Sequence, residues 1–110
     1  CQLAASCDLL VASEAARFCT PGVNLGLFCT TPAVATARAM PRKAAMEMLL
    51  LGEMVPAAEA QRMGLVNRVV PKGQALAAAM EMAGRIAARS GAALRLGKRG
   101  VNAQIGLPLD

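Results

Sequence analysis

The chain has no histidine, no tryptophan and no tyrosine, and aromatic residues make up only 2% of it. Without imidazole, the side chain whose ordinary titration lies nearest neutrality is missing, so histidine-dependent catalysis is excluded. Without aromatic faces there is little on which bases could stack, and nucleic acid is not expected as a partner. The four cysteines, Cys1, Cys7, Cys19 and Cys29, form no CxxC pair. With no histidine to join them, no metal site is expected, and they read as small apolar core residues kept reduced. No apolar run approaches the ~20 residues of a membrane span, and neither a membrane span nor a signal peptide is expected.

What remains is a 110-residue chain that is 55% hydrophobic, built from Ala, Leu, Val and Met. That length predicts one domain at most, able to bury about 60 to 70% of its unfolded surface. Lys and Arg total 12 against 7 acids, a formal charge of +5. The basic residues are scattered, with one group at Arg38, Arg42 and Lys43 and another at Arg95, Lys98 and Arg99. Such a surface is solvated by default, and its long-range field also favours polyanions or a phosphorylated cofactor. The chain starts without Met inside an apolar pattern, and Gly106 to Asp110 adds no finishing element, so a fragment, a processed chain or an excerpt is expected. The Ala- and Arg-rich usage points to a bacterial cytoplasm, or to a mitochondrion if the source is eukaryotic.

Gln2 to Cys7 is Ala-rich and predicts one or two helical turns. The run Leu9 to Ala12 after Asp8 predicts a parallel strand covered on both faces. Two other strand candidates follow, at Arg17 to Cys19 and Leu65 to Val70. Thr31 before Pro32 predicts a cap and first-turn proline of a helix that Pro41 breaks. Arg42 to Leu51 predicts a second helix with Ala45, Met48 and Leu49 on one face and Gly52 as its left-handed stop. Pro56 opens a third that Gly64 ends. Gln74 to Arg89 places Leu76, Met80, Ala83 and Ala87 at helical spacing, which predicts an amphipathic helix with its polar side outward. Ser90 and Gly91 separate it from a last helical stretch through Asn102.

The order of elements in LLLGEMVPAAEAQRMGLVNRVVP (Leu49 to Pro71) resembles the enoyl-CoA hydratase/isomerase (crotonase) superfamily. The resemblance extends back through ARAMPRKAAMEMLL and ARFCTPGVNLGLF to CQLAASCDLLVAS. Within it, the loop TPGVNLGLFC is closest to the enoyl-CoA hydratase domain-containing proteins. It implies an α/β fold, a crotonase-like (ClpP/crotonase) β-β-α spiral with mainly parallel sheet, of which residues 1 to 110 form the second half with a helical C-terminal part, without the upstream oxyanion-hole half and the family's C-terminal helices. It also implies assembly as trimers or hexamers, lyase or isomerase chemistry, and an acyl-CoA thioester as substrate with no separate cofactor. In that fold two backbone N–H groups hold the thioester oxygen as charge develops on it. The resemblance places one in an absent first half and the other just before Cys1, with the helix of Gln2 aimed at the carbonyl.

Hydration of an enoyl thioester needs one group to activate water and another to protonate the α-carbon, and the family's hydratases use two glutamates. The resemblance matches those positions to Gln2 and to Gly22, which follows Pro21. An amide can hold a water but cannot take its proton, and glycine has no side chain. An isomerase needs only the second carboxylate, so Gly22 counts against that reaction too. Cys1, Gln2, Pro21, Gly22, Val23, Asn24, Leu25, Leu27 and Phe28 are the expected acyl-CoA-binding residues, and Thr20, Cys19 and Cys29 are expected to line the same loop. Asp8 reads as a cap or a buried ion pair with Arg17, while Glu14, Glu47, Glu53, Glu59 and Glu81 read as solvated. Cys29 has no histidine to activate it as a nucleophile. Three readings stay open: an acyl-CoA enzyme of the superfamily, weak or inactive as a hydratase; a non-catalytic acyl-CoA-binding or oligomer subunit; and a truncated remnant.

Overall fold

The computed structural model describes residues 1–108; Leu109 and Asp110, the last of the stretch expected to end without an element, lie outside the described residues. The chain divides into two compact units, Cys1–Ala79 and Met80–Asp110.

The first unit opens with helix α1 (Gln2–Ser6), short enough that its ladder rests on the Ala5 N–H donating to the Cys1 carbonyl at 2.9 Å. Strand β1 (Val11–Ser13) pairs in parallel with β4 (Arg68–Val70), in the register Val11 to Arg68, Ala12 to Val69 and Ser13 to Val70. Asn67 starts this ladder. Its side-chain oxygen accepts the Leu10 N–H at 2.8 Å, and its own N–H donates to the Leu10 carbonyl at 2.8 Å. The strand therefore begins two residues later than the expected Leu9 to Ala12. Nor is it covered on both faces: Ala12 is its one buried residue and Leu9 is 43% exposed.

Strand β2 (Arg17–Phe18) pairs antiparallel with β3 (Val55–Pro56), a strand too short for a two-residue period to announce. The expected strand at Arg17 to Cys19 is this one, and that at Leu65 to Val70 is β4. Of the two pairings only β1 with β4 is parallel.

A 3-10 turn (Pro21–Leu25) leads into helix α2 (Thr30–Ala39). The expected cap at Thr31 is displaced to Cys29, which makes no side-chain cap bond, and Pro32 sits inside the first turn. Helix α3 (Arg42–Leu51) buries Ala45, Met48 and Leu49 as its spacing predicts, and Gly52 stops it at φ +63°. Helix α4 (Ala57–Arg62) follows Pro56, and Gly64 closes it at φ +93°.

The core cluster is Ala5, Ala12, Met40, Ala45, Met48, Ala57, Ala60, Leu65 and Val66. Its alanines let helix and strand backbones approach closely, and Met40 and Met48 fill the irregular space left between them. The cysteines were expected there and are not: Cys1 and Cys7 are exposed, Cys19 and Cys29 half-buried, and all four are free thiols. Cys7 turns back on its own helix, its thiol donating to the Leu3 carbonyl at 3.4 Å. Asp8 is exposed, so the buried position expected for it is not found, and the strand it precedes begins at Val11.

Helix α5 (Ala75–Ala87) begins in the first unit and ends in the second, which also holds α6 (Gly91–Gln104). Ser90 caps α6, its hydroxyl oxygen accepting the Ala93 N–H at 3.2 Å. The apolar residues of α5 do recur at helical spacing, but they are not covered: Leu76 is 75% and Met80 63% exposed, and Ala83 and Ala87 are exposed as well. Among the described residues no helix is long and apolar enough to cross a membrane.

Candidate functional site

The loop from Cys19 to Thr30 holds seven of the nine expected binding residues. Its start is tied to the C-terminal end of α3, where helical carbonyls lack intrahelical partners. The Thr20 hydroxyl donates to the Met48 carbonyl at 3.0 Å, and the Gly52 carbonyl accepts from the Asn24 amide at 2.9 Å and from the Cys19 thiol at 3.4 Å. Thr20 is only 1% exposed, so it anchors the loop rather than lining it as expected. Gly52 must be small for the same reason: a Cβ there would stand 2.7 Å from Val23 Cγ2 and 2.9 Å from Asn24 Oδ1.

The far side of the loop closes on itself. Gly26 turns the chain at φ +75°, and the Leu27 N–H donates to the Gly22 carbonyl at 2.9 Å. The Gly22 N–H donates to the Cys29 thiol sulfur at 3.3 Å. A Cβ on Gly22 would lie 2.9 Å from that sulfur and 3.2 Å from the Cys29 backbone nitrogen. Sequence reasoning missed this contact, and no short motif signals it, because the two residues meet only when the 3-10 turn folds back.

The result is a loop with anchored polar groups and outward apolar ones. Leu25, Leu27 and Phe28 are exposed, Leu25 at 79%, whereas Gly22 and Val23 are half-buried and Pro21 and Asn24 exposed. An apolar rim over satisfied backbone suits an acyl chain. Cys1 and Gln2 lie at the exposed start of α1, which packs against α2, the helix that the loop enters. One helix thus joins both stretches that carry the expected residues.

No carboxylate stands between Cys19 and Thr30. Glu14, Glu47, Glu53 and Glu81 are exposed, and Glu59 is half-buried beside Arg62. The Arg62 guanidinium donates a hydrogen bond to the Glu59 carboxylate, and that bond, then the carboxylate's charge, hold the guanidinium pKa above its ordinary value. A cleft of about 210 Å³ in the first unit runs along α3, β3 and α4, lined by Glu47, Glu53, Glu59, Met54 and Met63 among others. None of the nine expected residues borders it, and its three carboxylates oppose an anionic ligand such as coenzyme A. Among the described residues no three of Cys, Asp and Glu gather as metal ligands would.

The enoyl-CoA hydratase/isomerase family model matches residues 1–109. Mouse enoyl-CoA hydratase domain-containing protein 3, mitochondrial, is 55% identical over 98 residues, which are 89% of this chain and 33% of the relative. The crystal structure of the human protein of the same name superposes with a TM-score of 0.90 at 50% identity, over 99% of this chain and 43% of that one. An enoyl-CoA hydratase from Mycobacterium smegmatis gives 0.93 at 47%, over 99% and 42%. The chain spans about a third of the length of the curated relative and under half of the solved ones. Likeness this close gives the chain the expected α/β, crotonase-like fold over the part it spans, and with it the chain belongs to the enoyl-CoA hydratase/isomerase family.

Proposed function

We propose that this chain is an acyl-CoA-binding member of the family with weak or no hydratase activity. What carries the proposal is the presence of Gln and Gly at positions 2 and 22, which the resemblance matches to the family's two glutamates. Loss of one general acid or base costs about 10² to 10⁴ in rate, so loss of both leaves little hydration. Binding is a separate matter. The anchored loop with Leu25, Leu27 and Phe28 outward offers an apolar wall to an acyl chain, and Arg38, Arg42 and Lys43 are exposed cations suited to coenzyme A phosphates. No further cofactor enters this reading, since coenzyme A arrives as part of the thioester.

Cys1, Gln2, Pro21, Gly22, Val23, Asn24, Leu25, Leu27 and Phe28 are the residues we assign to binding. Homo-oligomers, trimeric or hexameric, and a bacterial cytoplasmic or mitochondrial location belong to the same proposal. The test is a thermal-shift titration of the chain with acetoacetyl-CoA and free CoA. A ligand that binds only the folded state adds about 2.7 kcal/mol at a hundredfold excess over its dissociation constant. A saturable rise with acetoacetyl-CoA, beside crotonyl-CoA hydration at or near the uncatalysed rate, is the expected result. No rise from a folded chain sinks the binding claim and favours a truncated remnant.

A further inference from the structure

We propose that position 22 and Cys29 are coupled: the Cys29 thiol occupies the space that a Cβ at Gly22 would need, so a side chain returns to position 22 only as that thiol moves aside or is replaced by a smaller residue. The significance of position 22 rests on the functional reading above, whereas the fit of the two residues stands on geometry alone.

Glycines at turns are commonly required by a positive φ, and Gly26, Gly52, Gly64 and Gly73 all have one. Gly22 does not. Its φ lies outside the left-handed region, and what an added side chain meets there is Cys29. A Cβ at this position meets Cys29 Sγ at 2.9 Å, the Cys29 nitrogen at 3.2 Å and the Phe28 carbonyl carbon at 3.4 Å. The first distance is closer than Cβ atoms pack, the second needs a few tenths of an ångström, and the third is ordinary contact. Relief must therefore come from the sulfur.

The sulfur is not idle. It accepts the Gly22 N–H at 3.3 Å, so rotating it away leaves that N–H without its partner. The Cys29 backbone is held as well, because it caps α2 and its carbonyl accepts the Ala33 N–H at 2.9 Å. Gly22 and Cys29 are in this sense one unit: a side chain at 22 displaces the sulfur, and the displaced sulfur gives up the hydrogen bond it accepts from the backbone N–H at 22.

The pair is tested with Gly22→Ala, Gly22→Glu, Cys29→Ala and the two double variants, by thermal unfolding and by iodoacetamide labelling read peptide by peptide. Gly22→Ala in the parent should lower Tm by about 4 to 8 °C, and by less than half as much in the Cys29→Ala background. Labelling of Cys29 in Gly22→Ala should rise about tenfold as the thiol is pushed out, with Cys1 and Cys7 unchanged. Gly22→Glu should follow the same coupling, and if it fails to fold in the parent the alanine series decides the matter. Equal losses in the two backgrounds, or Cys29 labelling unchanged by Gly22→Ala, overturn the proposal. The acetoacetyl-CoA shift of the parent reads the functional proposal separately: coupling present with no ligand shift leaves the pair standing and removes the acyl-CoA site.

Discussion

At Gly52 two separate demands coincide, a φ of +63° and a Cβ that would stand 2.7 Å from Val23 Cγ2. Gly26 has the first demand alone, with φ +75° and nothing within 4 Å of an added Cβ. Comparing the two separates strain from packing. Gly26→Ala should cost about 1 to 2 kcal/mol, the ordinary penalty for a side chain in the left-handed region. Gly52→Ala should cost a further 1 to 3 kcal/mol or so, because the loop must give way. Urea unfolding measures both, and equal losses would mean that the Val23 contact is absent in solution. The helix stop at Gly52 was legible in sequence, since a glycine after an apolar helical stretch is a local signal. Its contact with Val23 and Asn24 was not, because it joins residues 28 and 29 positions apart that no local pattern links. The same holds for Thr20, expected only as a residue of that loop, whose hydroxyl donates to the Met48 carbonyl 28 positions away.

Elements divide along the same line. Helices α2 and α3 were legible because each runs for ten residues and stops at a local breaker, Pro41 or Gly52, and α3 matches its expected bounds. The strands were legible only in place. β1 starts where Asn67 reaches Leu10, a choice made by a residue 57 positions away. Asn67 binds both backbone groups of Leu10, so it works as an extra rung that sets where the parallel ladder begins. Asn67→Ala should remove one rung and cost about 0.5 to 1.5 kcal/mol. Asn67→Asp keeps the accepting oxygen and should lose less. Amide hydrogen exchange at Leu10 is the direct measurement, faster in the alanine variant and close to the parent in the aspartate one; equal exchange in all three would show that the side-chain bond does not form. β3 escaped sequence reading because two residues, one a proline, give no alternation to detect.

For the molecule as a whole, family and fold were readable from Leu49 to Pro71, where turn, helix and strand follow in an order that composition cannot imitate. How much apolar surface stays open was not readable, since helical spacing says which residues share a face but not what meets it. α5 carries Leu76 and Met80 on its surface, and α6 carries Leu96 at 72% and Val101 at 53% exposure. Large apolar side chains scattered singly are normal, but their recurrence along two helices is what a protein contact would use. The homo-oligomer in our functional proposal gives these helices that role. Leu76→Glu with Met80→Glu should then shift the chain toward monomer in sedimentation velocity. Because both residues are exposed, unfolding measured in the monomer should change by no more than about 0.5 kcal/mol. A double variant that sediments as the parent does would exclude α5 from the contact. Loss of stability in the monomer would mean instead that these residues are packed within the chain, against the exposure seen.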